Sequence, residues 1–169
     1  MEFSEIYSSL FAEGQTTGYT PSHNKLDDLL LRDLPNEYYC FWRLIWRKTY
    51  GWKTNSVSMG LRDISKEAHI TLKCASRIAW FFNVIQLIHY TPGKKDNTNS
   101  RFELFPTGTP NIAQLEHMLK TLQPVLAKEK SLRADDKNFR YRTDEFCNEL
   151  AAIWKTRGGQ VAVSESDAA

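Results

Sequence analysis

Cysteine, proline and glycine are scarce in this chain: three, six and eight of 169 residues. Cys40, Cys74 and Cys147 are odd in number and widely spaced, which excludes a disulfide framework and fits a reducing compartment. His23, His69, His89 and His117 are scattered and give no zinc-ligand spacing with those cysteines. No glycine-rich phosphate loop exists, because Gly158-Gly159 lacks the Gly-Lys-Ser/Thr context such a loop needs. The acidic pairs Asp27-Asp28 and Asp135-Asp136 suit caps and solvated loops better than metal ligation. Nothing in the sequence gives a nucleophile a positioned base. The expectation is a protein that is not an enzyme and uses no metal or cofactor. No apolar run reaches the ~20 residues needed to span a bilayer. The opening Met-Glu-Phe-Ser-Glu is acidic, unlike a signal peptide. A cytoplasmic protein without a membrane span is therefore expected.

The residues that are present describe a globular chain, 41% hydrophobic and 25% charged. Its length allows one sizeable core. The net charge of +2 conceals a segregation. Residues 1–42 carry 2 basic and 7 acidic side chains, residues 43–101 carry 11 and 3, and residues 102–169 carry 9 and 10. Cations gathered on one segment are the electrostatic footprint of phosphate binding.

Inside that basic segment the run from Ile64 to Ile88 reads as two helices and a tight turn. Leu61, Ile64 and Ala68 form one apolar stripe at helical spacing. His69 and Ile70 make the turn. Thr71 is an N-cap, since its hydroxyl can accept from a backbone N–H of the next turn. The second helix puts Ala75, Ile78, Ala79, Phe82 and Ile85 on one face, and Lys73, Ser76, Arg77 and Trp80 on the other. That is the pattern of a helix-turn-helix, whose second helix enters a DNA major groove with its early residues on the base edges.

The flanking segments extend the pattern. A short helix is expected over Lys25–Leu31. The next should start with Asp33 as N-cap and Pro35 in its first turn, run to about Thr49, and end on Gly51. A small strand fits at Val57, and Ser58 or Gly60 should open the first motif helix. After the second motif helix, Leu87–Tyr90 and Arg101–Phe105 flank a polar loop with Pro92 and Gly93, which reads as a β-hairpin. A hairpin directly after a helix-turn-helix makes a winged helix. Lys94, Lys95, Asn97, Asn99 and Arg101 on the wing suit phosphate or minor-groove contact. The predicted DNA-binding residues are thus Thr71, Lys73, Ser76, Arg77, Trp80, Lys94, Lys95, Asn97, Asn99 and Arg101.

The expected fold is mainly α with a small β-hairpin, a winged helix-turn-helix plus C-terminal helices. Residues 1–18 form an N-terminal arm, with a short helix over Glu2–Ala12. Residues 19–106 form the DNA-binding domain, 107–157 a helical extension and 158–169 a disordered tail. In the extension, Ile112, Leu115, Met118, Leu119, Leu122, Val125 and Leu126 predict an amphipathic helix that Pro124 bends or splits. Lys130–Asp136 is charged and expected as a loop. A last helix over Lys137–Lys155 carries Phe146, Leu150, Ile153 and Trp154 on one side. The extension could pack on the winged helix or pair with a second copy to form a homodimer.

Several strings resemble the N-terminal winged-helix domain of lambda-type phage replication initiators, the replication protein O class. They are Thr-Pro-Ser-His-Asn-Lys-Leu-Asp-Asp at 20–28, Pro-Asn-Glu at 35–37, Arg-Lys-Thr-Tyr-Gly-Trp at 47–52, Ile-Ser-Lys-Glu-Ala-His-Ile-Thr at 64–71, and the run into Leu87-Ile88. The resemblance covers about residues 19–105. It implies binding to repeated double-stranded DNA sites at a phage, plasmid or satellite origin, and recruitment of a helicase or helicase loader in a bacterial host cell. It carries DNA contact over to Lys73, Ser76, Arg77, Lys94 and Lys95. The sequence departs from the family where His69 and Gln86 stand in place of glycine, and where Trp80 and Phe81 replace basic or polar residues.

Two other readings of the same residues are a winged-helix transcriptional regulator, acting as a copy-number or promoter repressor, and a replisome protein-interaction module that docks through an exposed Trp80-Phe81 pair.

Overall fold

The computed structural model describes residues 24–94, 99–108, 110–134 and 143–155. The expected N-terminal arm with its Glu2–Ala12 helix, the tail from 158, and Lys95 and Asn97 lie outside the described residues, as do the side chains of Ile153 and Trp154.

Leucines at helical spacing shape the first element, α1 (Asn24–Asp33), which buries Leu26, Leu29 and Leu30. It is one turn longer than the expected Lys25–Leu31. The second helix, α2 (Asn36–Thr49), is capped by Pro35 and not by Asp33. The Pro35 carbonyl accepts the Tyr38 and Tyr39 N–H groups at 3.0 and 3.1 Å. The proline ring disfavours helical backbone in the residue before it, so the helix cannot begin earlier. Asp33 instead pairs with Arg32 at 2.8 Å. At the other end Gly51 is not the stop. The chain tightens into a 3-10 turn, Tyr50–Trp52, and the left-handed residue is Lys53, at φ 56°.

Ser56–Met59 forms β1 and Leu61–Ala68 forms α3, opened by Gly60. His69 takes φ 56° at the end of α3, as a residue in a glycine-like position must. Thr71 caps α4 (Leu72–Val84), its hydroxyl accepting from the Cys74 N–H at 3.2 Å. Gln86 then turns the chain at φ 60° into β2 (Ile88–Thr91), and β3 (Ser100–Leu104) returns. The three strands form one antiparallel sheet in the order β1-β3-β2. The registers Ser58↔Arg101 and Thr91↔Arg101 put Ser58, Thr91 and Arg101 on one face, while Val57, Tyr90 and Phe102 share the other. The inner face joins the core.

Aromatic rings form a contiguous cluster within that core. Phe82 of α4 stacks on Phe41 and lies against Trp42 of α2, each pair of centroids 5.8 Å apart. Trp46 stacks on Tyr50 at 4.5 Å. Phe105, after β3, meets Trp42, Trp46 and Tyr50 edge-on. Phe105 itself is at φ 52°, a conformation unfavourable for an aromatic residue. Its ring contacts and its N–H bond to the Leu87 carbonyl, 3.0 Å, hold it there.

The C-terminal part is more regular than expected. Residues Ile112–Ala134 form a single helix, α5, with Pro124 inside it. Pro124 is exposed, while Leu122, Val125 and Leu126 on both sides of it are buried. Packing on that side holds the two halves together despite the missing N–H. The segment expected as a loop from Lys130 is helical to Ala134. The last helix, α6, spans Thr143–Lys155. Arg32 reaches Glu116 at 3.0 Å and the Gln123 amide donates to the Asp33 carbonyl at 2.7 Å, tying α5 to α1. The Arg32 hydrogen bond holds the Glu116 carboxyl below the usual range. Leu115, Leu119, Leu122, Phe146 and Leu150 belong to the same continuous core as α2 and α4.

Candidate nucleic-acid interface

Helix α4 is amphipathic in its first turn and nearly engulfed after it. Thr71, Leu72 and Lys73 are exposed, and Ser76 and Trp80 are half-buried. Every other residue of the helix is buried. Positions 72, 76 and 80 recur at four-residue spacing with Lys73 beside them, so they form one narrow outward strip. The Thr71 hydroxyl is occupied by capping.

Arg77 is the main correction to the sequence expectation. It does not stand on the outer face: it is 1% exposed, and its Nε donates to Oε1 of Glu129, 0% exposed, at 3.1 Å. Glu129 lies on α5, and α6 packs along both α4 and α5. The C-terminal helices therefore cover the edge of α4 on which Arg77 falls. A guanidinium held this way is withheld from base edges in this arrangement.

The Trp80-Phe81 pair is not an exposed patch either. Phe81 is fully buried, edge-on to Tyr38 at 5.1 Å. Trp80 is half-buried, edge-on to Tyr90 of β2 at 5.0 Å. It joins the outward strip of α4 to the hairpin. The Asn83 side-chain carbonyl strengthens the same junction by accepting from the Tyr90 N–H at 3.0 Å.

The hairpin presents Lys94, Asn99 and Arg101 to solvent. The Ser100 hydroxyl accepts from the Gly93 N–H at 3.3 Å and pins the two strands where the loop begins. Arg101 lies 3.6 Å from Glu103, a loose exposed pair that contributes little and leaves the guanidinium able to exchange partners. Asn99 approaches the start of α3: a Cβ on Gly60 would lie 3.5 Å from its side-chain oxygen. The hairpin and the first turn of α3 are thus neighbours.

Sequence reasoning passed over three exposed side chains of this region. Arg62 and Lys66 stand on α3, four residues apart, and Leu72 opens α4. Other cations of the basic segment are drawn into ion pairs, Arg43 with Asp27 at 3.4 Å and Lys48 with Glu67 at 3.2 Å. The positive charge left to a ligand is therefore smaller than the composition implies. Among the described residues, Lys73, Lys94, Arg62 and Lys66 are the exposed cations of α3, α4 and the hairpin loop.

Among the described residues no cluster of His, Cys, Asp and Glu could hold a metal ion. No described helix is long and apolar enough to cross a membrane. Comparison with known proteins identifies no relative: no protein-family model, curated protein or solved structure matches the chain.

Proposed function

We propose that residues 24–108 are a winged helix that binds double-stranded DNA at specific sites. The observation that carries this reading is the order of elements. Two helices, a strand, two further helices joined by a tight turn and a hairpin follow one another, and the first strand closes the sheet beside the last, β1-β3-β2. That connectivity suits a protein that inserts the start of α4 into a major groove and rests the hairpin on the flanking backbone. Exposed Lys73 and half-buried Ser76 on the helix, and exposed Lys94 and Arg101 on the hairpin, have the chemistry for those two tasks.

The biological role we propose is replication initiation at repeated sites of a phage, plasmid or satellite element in a bacterial cytoplasm. The support is the resemblance of residues 19–105 to lambda-type initiators. A helicase or its loader, and a second copy of the chain, are the partners this role implies. Fluorescence anisotropy with duplexes tiling the DNA around the gene, against random duplex at two salt concentrations, tests the reading. Tight, salt-sensitive binding to clustered direct repeats is expected. A single palindrome over a promoter would indicate a repressor instead. Weak binding indifferent to sequence and salt would remove DNA reading altogether.

A further inference from the structure

We infer that Leu72 is a specificity-determining residue that reads the C5-methyl group of a thymine in the major groove. The inference rests on the DNA-binding reading proposed above and names the base class that this surface selects.

Three large apolar side chains are exposed among the described residues: Leu31 at 59%, Trp52 at 73% and Leu72 at 42%. Leu31 lies on α1 and Trp52 in the turn after α2. Leu72 alone is on α4, in the first helical position after the Thr71 cap. Early residues of such a helix meet base edges. Leu72 is not part of the hydrophobic core. Its neighbours on the strip are Lys73, Ser76 and half-buried Trp80, one, four and eight residues on, and the first two suit a polyanionic ligand.

The rest of the strip narrows what can be read. Arg77 is engaged with Glu129, so α4 offers guanine no guanidinium. Lys73 has the donors to bond guanine O6 and N7. Leu72 has no polar atom and can distinguish bases only by shape. Thymine is the base that offers an apolar group in the major groove, and the remaining edge atoms there are donors or acceptors that a leucine cannot satisfy. A thymine adjacent to a purine contacted by Lys73 is the pattern that fits both side chains.

The test uses the duplex that the wild-type protein selects from a pool of random-sequence duplexes. Each thymine of that duplex is replaced in turn by uracil, which removes only the methyl group. One replacement is expected to weaken wild-type binding about fourfold, the effect of burying one methyl group. Leu72→Ala is expected to bind the thymine and uracil duplexes equally, with a circular dichroism melt like that of wild type. Selective binding in which no uracil replacement matters, or in which Leu72→Ala retains the thymine preference, overturns the inference and leaves DNA reading intact. Failure to select any duplex overturns both.

Discussion

Arg77 of α4 and Glu129 of α5 meet at 3.1 Å, both buried, across a sequence separation of 52 residues. Neither charge can be relieved by solvent, so each draws its compensation from within the protein, and the pair supplies part of it. The pair joins the helix proposed to read DNA to the helical extension behind it. The extension is thus part of the same core and carries one side of α4. Any partner that displaced α5 would also expose the Arg77 guanidinium.

Removing one member of this pair should be costly. Glu129→Ala removes a counter-charge from a buried guanidinium and is expected to lower stability by about 3–5 kcal/mol. Replacing both, Arg77→Met with Glu129→Leu, should recover most of that loss, because apolar side chains of similar volume need no compensating charge. Urea denaturation of wild type, Arg77→Met, Glu129→Leu and the double variant measures the coupling, with Glu129→Ala beside them. A loss below about 1 kcal/mol for Glu129→Ala would mean that the pair is solvated and α5 is not docked in solution.

Lys73 should carry base preference and Arg77 should not. Lys73→Ala is expected to reduce the preference for the selected site over random duplex by about 1–3 kcal/mol. Anisotropy titrations against both duplexes give the answer. An equal loss on both would reassign Lys73 to the phosphate backbone.

Lys94 stands exposed at the start of the hairpin loop. If it contacts a phosphate, Lys94→Ala should lower the magnitude of the salt slope by roughly 0.9 and weaken all duplexes alike. The slope of log K against log salt is the measurement. An unchanged slope would clear this residue of backbone contact.

Gln86 holds φ 60° between α4 and β2. A left-handed conformation costs a non-glycine residue about 1–2 kcal/mol, against which glycine loses about 0.4–1 kcal/mol more entropy on folding. Gln86→Gly is therefore expected to stabilise the fold by about 0.5–1 kcal/mol, a rise in melting temperature of roughly 1–4 °C. No gain, or a loss, would show that the half-buried Gln86 side chain contributes packing that outweighs the backbone strain.

Much of the fold was legible because its signals are local. The Thr71 cap, the left-handed turn at His69, the hairpin around Pro92 and Gly93, and the apolar stripe from Leu115 to Leu126 are each set by side chains within a few residues. Errors arose where two local signals competed. Asp33 is a good cap residue, yet the backbone restriction before Pro35 moves the helix start. Gly51 is a good stop, yet continuation of the turn to Trp52 shifts the left-handed residue to Lys53. The charged run from Lys130 has a loop-like composition but continues as helix, because Glu129 is anchored and α6 packs beside it.

The candidate interface was legible only in part. Periodicity assigns Lys73, Ser76, Arg77 and Trp80 to one side of a helix, and the sequence by itself determined the main helices and strands from Asn24 to Leu104, their order and the inward face of α4. The helical repeat cannot say what lies beyond the opposite face. That depends on α5 and α6, which return from far along the chain. They cover the edge at Arg77 and leave the edge at Leu72 open. Which outward-pointing residues remain outward was decided by tertiary structure alone, because a buried charge needs a partner and Glu129 is supplied by a helix with no sequence relation to α4.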